Sequence, residues 1–252
     1  MLIQPKRGKP KGIINNQPFV SIHTITFNRY KFLNILKSHI LNQTYPQNLI
    51  EWVIIDDSSD EIDKNIIKDS RLNIKYTKLT DRTVIGRKRN IANSKSKGDI
   101  IVVMDDDDFY PVNRISHAVE KLQNSKKLIA GSPYLPVFYL LEKELWMVGP
   151  GPCGNNYATA NTFAFKRKLL TTTRFGNDCS LAEETEFTKE YTIPMINLDP
   201  YNTVFSIAHK SNTVNKQIMR LNPQRSDMKK LNIDETNIDI INQINELYND
   251  AI

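Results

Sequence analysis

Apolar positions along this chain change period several times, and each change marks an element. Phe19 to Thr26 is a β-like run behind a polar leader that contains prolines, and it predicts a first strand. Phe32, Leu33, Leu36 and Ile40 then fall on one face at helical spacing, with Asn28 or its neighbours as the cap and Pro46 ending the unit. Trp52 to Ile55 predicts a second buried strand, and Ile74 to Thr77 a weaker third. A helix is expected from about Ile85 to Ser96, after which Gly98 separates it from Ile100 to Met104. That last run is continuous in β-branched residues rather than alternating, as in a strand buried on both faces. A further helix follows from about Asn113 to Asn124. Strands alternating with helices in this way predict a parallel sheet with right-handed crossovers.

Beyond Leu128 the pattern shortens. Segments up to Phe165 are β-like and broken by Gly131, Pro133, Pro136 and the loop Gly149 to Gly154, as expected of a mixed sheet edge with loops over a site. Lys166 to Thr172 and Glu183 to Tyr191 look helical, and Thr203 to His209 reads as a last short strand. From Glu235 to Asn249, Ile238, Ile241, Ile244 and Leu247 share a face, which predicts an amphipathic helix docked on its own domain or on a second copy of the chain. The expected fold class is α/β, in one domain: a basic leader over 1–17, a nucleotide-binding half over 18–110, a catalytic or acceptor half over 111–215, and a helical tail over 216–252.

Composition narrows the class without naming a function. Charged residues are 25% and hydrophobic residues 40% of the 252 positions, ordinary for a soluble globular protein. No apolar stretch approaches the roughly 20 residues of a membrane span, and Met1 to Lys11 lacks an apolar signal core, so an unexported, cytoplasmic protein is expected. Cys153 and Cys179 have neither a metal-finger nor a redox spacing and are expected to be reduced. The net charge of +6 invites a nucleic-acid reading. Its excess lies in Lys6 to Lys11 and in Arg82 to Lys97, and such a patch could hold a diphosphate as easily as a polynucleotide.

The chemistry concentrates at the end of the Ile100 strand. Asp105, Asp106, Asp107 and Asp108 are consecutive and repel one another unless something cationic sits among them. A divalent metal is the leading candidate, since Mg²⁺ or Mn²⁺ takes oxygen ligands from one or two carboxylates and completes its shell with substrate phosphates. The position suits a ligand, because open α/β sheets bind at the carboxyl ends of their strands. An acidic helix start, with Asp107 or Asp108 capping the helix after Pro111, is the alternative.

Other motifs stand in order around this run: Thr26-Phe27-Asn28-Arg29, Val53 to Asp57, Arg87-Lys88-Arg89-Asn90 opening a helix, Ala182 to Phe187 with Glu183-Glu184, and His209 near the last strand. Taken together, residues 18 to 215 resemble the family 2 glycosyltransferases and their relatives with the GT-A fold. The resemblance implies a nucleotide-sugar donor, most simply a UDP-sugar, held by Thr26, Asn28, Arg29, by Asp56 or Asp57, by Arg87 and Arg89, and by Asp105 and Asp106. It implies Mn²⁺ or Mg²⁺ at Asp105 with Asp107 in a DxD register, or at Asp105 with Asp108 in a DxxD register, and His209 completes the metal shell. Glu184 takes the place of the general base and Glu183 is its understudy, although the family more often has Asp there. Trp146 and Tyr157 are candidates to stack on sugar rings, and aromatic core residues are the alternative.

The expected activity is a metal-dependent, inverting hexosyl-type transfer to a glycan or protein acceptor, with no nucleic acid involved and a homodimer allowed. Two rivals remain. A sugar-1-phosphate nucleotidyltransferase would carry a Gly-rich, basic loop after the first strand, where this chain has Thr26-Phe27-Asn28-Arg29 and no glycine. A non-catalytic nucleic-acid-binding protein would use the basic patch but leaves the aspartate run unexplained.

Overall fold

A computed structural model describes residues 17–210, 212, 216–221, 228–235 and 237–248; the basic leader Lys6 to Lys11 lies outside them. The elements, in chain order, are β1 (Val20–Thr26), α1 (Tyr30–Leu41), β2 (Ile50–Asp56), α2 (Lys64–Ile67), β3 (Asn73–Lys78), α3 (Ile85–Lys95), β4 (Ile100–Val103) and α4 (Arg114–Gln123). There follow β5 (Ile129–Gly131), β6 (Leu135–Tyr139), β7 (Glu144–Val148), β8 (Ala164–Lys166), α5 (Glu183–Phe187), β9 (Met195–Asn197), β10 (Ser206–Ala208), α6 (Lys216–Leu221), β11 (Met228–Leu231) and α7 (Ile238–Tyr248).

The main sheet has the order β3-β2-β1-β4-β8-β5-β9. Its first four strands are parallel, and β8 runs antiparallel to both of its neighbours. Every residue of β2 and β4 is buried, which accounts for their unbroken β-branched runs. Register places Thr26 opposite Asp56, and His23 opposite Val103 just before the aspartates. Three loops, after β1, β2 and β4, therefore leave the sheet at one edge. Helix α1 covers one face with Phe32, Leu33, Leu36, His39 and Ile40. Each such large apolar side chain contributes about 1.5–3 kcal/mol by leaving water.

Several local expectations are refined or corrected. Of Asn28 and its neighbours, Arg29 takes the cap position of α1, without a side-chain hydrogen bond, while Asn28 sits at φ 54°. The Asn28 side chain instead accepts from the Ser59 amide at 3.1 Å, tying the β1 loop to the β2 loop. Residues 167–171 are helical as expected, but as a 3₁₀ helix. Helix α5 stops at Phe187 because Lys189, Glu190 and Tyr191 are all left-handed, a conformation no α-helix contains. A one-turn helix, α2, fills the β2–β3 crossover.

A second sheet, β10-β6-β7-β11, stands beside the first, and an isolated bridge between Phe109 and Phe205 links the acidic loop to it. Helix α7 packs on this sheet in a cluster with Phe32, Phe109, Phe138, Phe205 and Ile207. Its buried residues are Ile241, Ile244 and Tyr248, while Ile238 is 39% exposed, so the docked face is rotated toward Tyr248. The Tyr248 hydroxyl donates to the Asp108 carbonyl oxygen at 2.8 Å. No helix among the described residues is long and apolar enough to cross a membrane.

Candidate active site

A cavity of about 1090 Å³ opens between the loops after β1, β3 and β4 and the start of α5. Its walls include Thr26, Asn28 and Arg29 from the β1 loop, Lys88 and Arg89 from α3, Asp105 to Asp108, Tyr157, and Glu183 and Glu184 from α5. Of the residues expected at a donor site, Asp56, Asp57 and Arg87 are not among these walls.

Asp56 is fully buried and accepts from the Ser58 amide at 2.7 Å and the Tyr76 hydroxyl at 2.6 Å. Asp57 accepts from Lys88 at 2.7 Å, Arg82 at 2.6 Å and the Thr83 amide at 2.8 Å. Burial works against the charged form of both carboxyls, but these partners outweigh it and hold both below the usual range. Asp57 thus acts on the cavity through Arg82 and Lys88, which do line it. The Arg82 guanidinium also lies over the Phe27 ring, 3.6 Å from its centroid. Arg87 is exposed on the outer face of α3. Lys88 and Arg89 are buried and paired with acids, so the stretch from Arg82 to Lys97 is not a free basic stripe.

The start of α3 can reach so far inward because Gly86 packs against the backbone of residues 176 to 179. A Cβ there would lie 1.9 Å from the Gly176 carbonyl oxygen.

The repulsion expected among the four aspartates is answered by cations of the protein itself. Arg89 is the inner one. Its Nε donates to Glu183 Oε1 at 2.7 Å, and its two Nη atoms reach the Asp105 carboxylate at 3.2 and 3.3 Å. This fork joins the end of β4 to the start of α5. Arg29 is the outer cation, with Nη1 3.2 Å from Asp106 Oδ1 and 2.8 Å from Asp107 Oδ2. Asp108 is engaged in the interior: Asn161 Nδ2 donates to it at 2.7 Å, Ser206 Oγ at 2.8 Å and the Ile207 amide at 3.2 Å, with Lys216 Nζ at 3.7 Å. Asp106 and Asp107 divide their protons unequally. Burial and the charge of Asp107 push Asp106 up; burial opposes ionisation of Asp107 too, yet the His209 hydrogen bond and Arg29 hold it well below the usual carboxylate range.

Asp107 Oδ2 is the point of convergence. Besides Arg29, it has Asn212 Nδ2 at 3.1 Å and His209 Nε2 at 3.3 Å. The imidazole stacks on Phe32, with centroids 4.8 Å apart, and its side chain is closed to solvent. Two ligand atoms of one octahedral cation with bonds of about 2.1 Å stand about 3 Å apart, so the Asp107–His209 pair fits a shared divalent ion. Imidazole beside carboxylate suits Mn²⁺. Among the described residues no group of three or more His, Cys, Asp or Glu side chains forms a ready ligand set.

Glu183 and Glu184 differ sharply. Glu183 is the partner of Arg89. Glu184 has no salt bridge among the described residues, and burial, followed by the charge of Glu183, raises its carboxyl to about 7. Ala182, just before them, is left-handed at φ 53°, and that kink turns the first turn of α5 into the cavity. Tyr157 packs on Tyr191 at 4.9 Å between centroids beside this wall. Asn156 fastens the same loop to β9, donating to the carbonyls of Tyr191 and Ile193 and accepting from the Met195 amide at 2.9 Å. Trp146 faces elsewhere: it lies on β7 and donates to Glu144 at 3.0 Å. Cys153 and Cys179 are free thiols.

Lys88, Asn161 and Lys216 escaped the sequence reading. Each owes its place to a partner distant in the chain, and only the Lys88 position within an Arg-rich helix start offered a signal.

Comparison with known proteins now gives the class. Residues 21–142 match the profile of Glycosyl transferase family 2. The fold is shared with the mannosyltransferase PcManGT from Pyrobaculum calidifontis, solved in complex with GDP-Man and Mn²⁺, at a TM-score of 0.63, 16% identity, and coverage of 93% of this chain and 71% of that one. It is shared also with residues 1-349 of TarS from S. aureus in complex with UDP-GlcNAc, at a TM-score of 0.60 and 18% identity, over 80% of this chain and 64% of that one. In sequence, 92 residues are 29% identical to the poly(ribitol-phosphate) beta-N-acetylglucosaminyltransferase TarS of Staphylococcus aureus, covering 35% of this chain and only 16% of that protein's length. The chain thus has the GT-A glycosyltransferase fold, with the family 2 match lying in residues 21–142.

Proposed function

We propose that this domain transfers a sugar from a nucleotide-sugar, a UDP-sugar in the first instance, to an acceptor hydroxyl with inversion at the anomeric carbon. Glu184 is the general base. It takes the acceptor proton as the hydroxyl oxygen attacks from the face opposite the diphosphate, and a single displacement inverts the centre. The observation that carries this reading is the contrast within the acidic cavity: neighbouring acids are paired with cations, whereas Glu184 has no such partner among the described residues and a carboxyl at about 7. A base poised there is half ionised at neutral pH and accepts a proton readily.

The donor's diphosphate lies near Asp105 and Asp107, with Asp107 and His209 as ligands of a divalent cation. When bound, that ion acts as a Lewis acid for charge developing on the leaving diphosphate. Lys88, Arg82 and Arg29 line the same cavity and supply further positive charge to it. Glu183 and Arg89 hold α5 against β4 and so fix the distance from base to donor. The GDP-Man and Mn²⁺ of PcManGT and the UDP-GlcNAc of TarS support a nucleotide-sugar as donor. The acceptor is a glycan or protein hydroxyl.

Calorimetry with UDP and Mn²⁺ tests the assignments. Asp107→Ala is expected to lose metal-dependent UDP binding, and Glu184→Gln to keep that binding while transfer disappears. Unchanged UDP affinity in Asp107→Ala would count against the metal assignment. A retained anomer, read by NMR of the product, would rule out the role of Glu184 while leaving the fold untouched.

A further inference from the structure

The guanidinium of Arg29 stands where the metal-dependent reading needs an inorganic cation. Its Nη1 lies between Asp106 Oδ1 at 3.2 Å and Asp107 Oδ2 at 2.8 Å. The second of these is the oxygen that also faces His209 Nε2 and Asn212 Nδ2. A carboxylate oxygen that accepts from a guanidinium and from an amide has little lone-pair density left for a metal. A divalent ion bound to Asp107 and His209 would also lie close to the Arg29 charge, and two cations at such range repel strongly when partly shielded from water. The Arg29 side chain is 18% exposed, and the β1 loop that carries it forms part of the cavity wall. The guanidinium thus borders the space that a ligand in the cavity would fill.

We propose that Arg29 is the resting counter-ion of the acidic loop, a positioning residue that occupies Asp107 until a nucleotide diphosphate draws it away, so that metal and donor load together. The inference rests on the metal-dependent reading given above. Its physical content is a competition. Without nucleotide, a metal must displace a guanidinium already paired with Asp106 and Asp107. With nucleotide, the diphosphate supplies both an anion for Arg29 and the missing oxygen ligands for the metal. Donor-free protein thus resists metal, and the acidic loop stays neutralised and folded while empty.

Electron paramagnetic resonance of Mn²⁺, in which the free ion gives the signal that binding removes, tests this without any activity measurement. Mn²⁺ alone and Mn²⁺ with saturating UDP are titrated into the wild type, Arg29→Met and Arg29→Lys. The wild type is expected to bind Mn²⁺ weakly alone and much more tightly with UDP. Arg29→Met, lacking the competing charge, is expected to bind Mn²⁺ alone roughly tenfold more tightly than the wild type, so that the gap opened by UDP narrows. Arg29→Lys, which keeps the charge, is expected to stay near the wild type. Unchanged Mn²⁺ affinity in Arg29→Met, with the UDP effect intact, overturns the role of Arg29 and spares the metal. Failure of the wild type to bind Mn²⁺ even with UDP overturns the metal reading and the Arg29 role with it. Should Arg29→Met fail to fold, the Arg29 Nε–H resonance of the wild type decides: it is expected to move when Mg²⁺ and UDP are added together, and an unmoved resonance overturns the proposal.

Discussion

Two adjacent glutamates of α5 show how far environment separates chemically identical side chains. Glu183 is held by Arg89, whereas Glu184 faces the cavity with a carboxyl near 7. Transfer catalysed by Glu184 is expected to lose activity about tenfold per pH unit below about pH 7, because the protonated carboxyl accepts no proton. A pH profile of kcat/KM over pH 5 to 9 checks this. The same shift has a stability sign. A carboxyl raised in the folded state binds its proton more tightly there, so it is harmless in acid and grows into a cost as pH rises from 4.5 to about 7. From the ordinary 4.5 to about 7 that cost is on the order of 3 kcal/mol. Glu184→Gln should therefore unfold at higher urea than the wild type at pH 8 and show little difference at pH 5. Arg89→Met has the opposite effect. It strands Glu183 and Asp105 without their cation and is expected to destabilise by about 3–5 kcal/mol at neutral pH, measured by urea unfolding.

At the level of elements, α7 reaches the acidic loop directly. Tyr248→Phe removes the donor to the Asp108 carbonyl and is expected to cost about 1–3 kcal/mol, while Ile244→Ala in the same helix should cost about 2–5 kcal/mol through cavity formation. Comparing their UDP affinities separates the two contacts: only Tyr248→Phe touches the loop of Asp108. Element identity was legible wherever one physical demand dominated. Strands β2 and β4 are buried on both faces and read as unbroken apolar runs, and α1 shows its stripe. Helix α5 was overextended because Lys189-Glu190-Tyr191 contains no glycine to announce a left-handed run. The stripe of α7 was read through Ile238 instead of Tyr248, since an aromatic that carries a buried hydroxyl counts poorly as apolar. Helix α3 has almost no stripe, because the side chains it buries include Lys88 and Arg89.

For the molecule as a whole, titration should produce a stability maximum in mild acid. Asp56, Asp57 and Glu51 are all held below their ordinary range, so the stability they contribute is present above the unfolded carboxyl values and is lost as pH falls through the folded ones. Glu184 pushes the other way as pH rises from its ordinary 4.5 to about 7. Urea midpoints are expected to peak near pH 5 to 6 and to fall on both sides; a midpoint still rising from pH 6 to 9 would contradict the charge assignments. The acidic run was the most visible feature of the sequence, yet what neutralises it was not visible. Arg29 lies 78 positions from Asp107, and Arg89 lies 94 from Glu183, and no local pattern reports contacts at that range. The proximity of Asp57 to donor-facing cations was likewise hidden, since a buried ion pair and a ligand contact call for the same residue type. One consequence follows from the hydroxyl of Tyr248 on the Asp108 carbonyl. During synthesis, the aspartates leave the ribosome early, but their loop receives its last hydrogen bond only when residue 248 has emerged. A nascent chain arrested before that point carries the four aspartates but lacks this tie on their loop, so donor binding should strengthen once residue 248 has emerged.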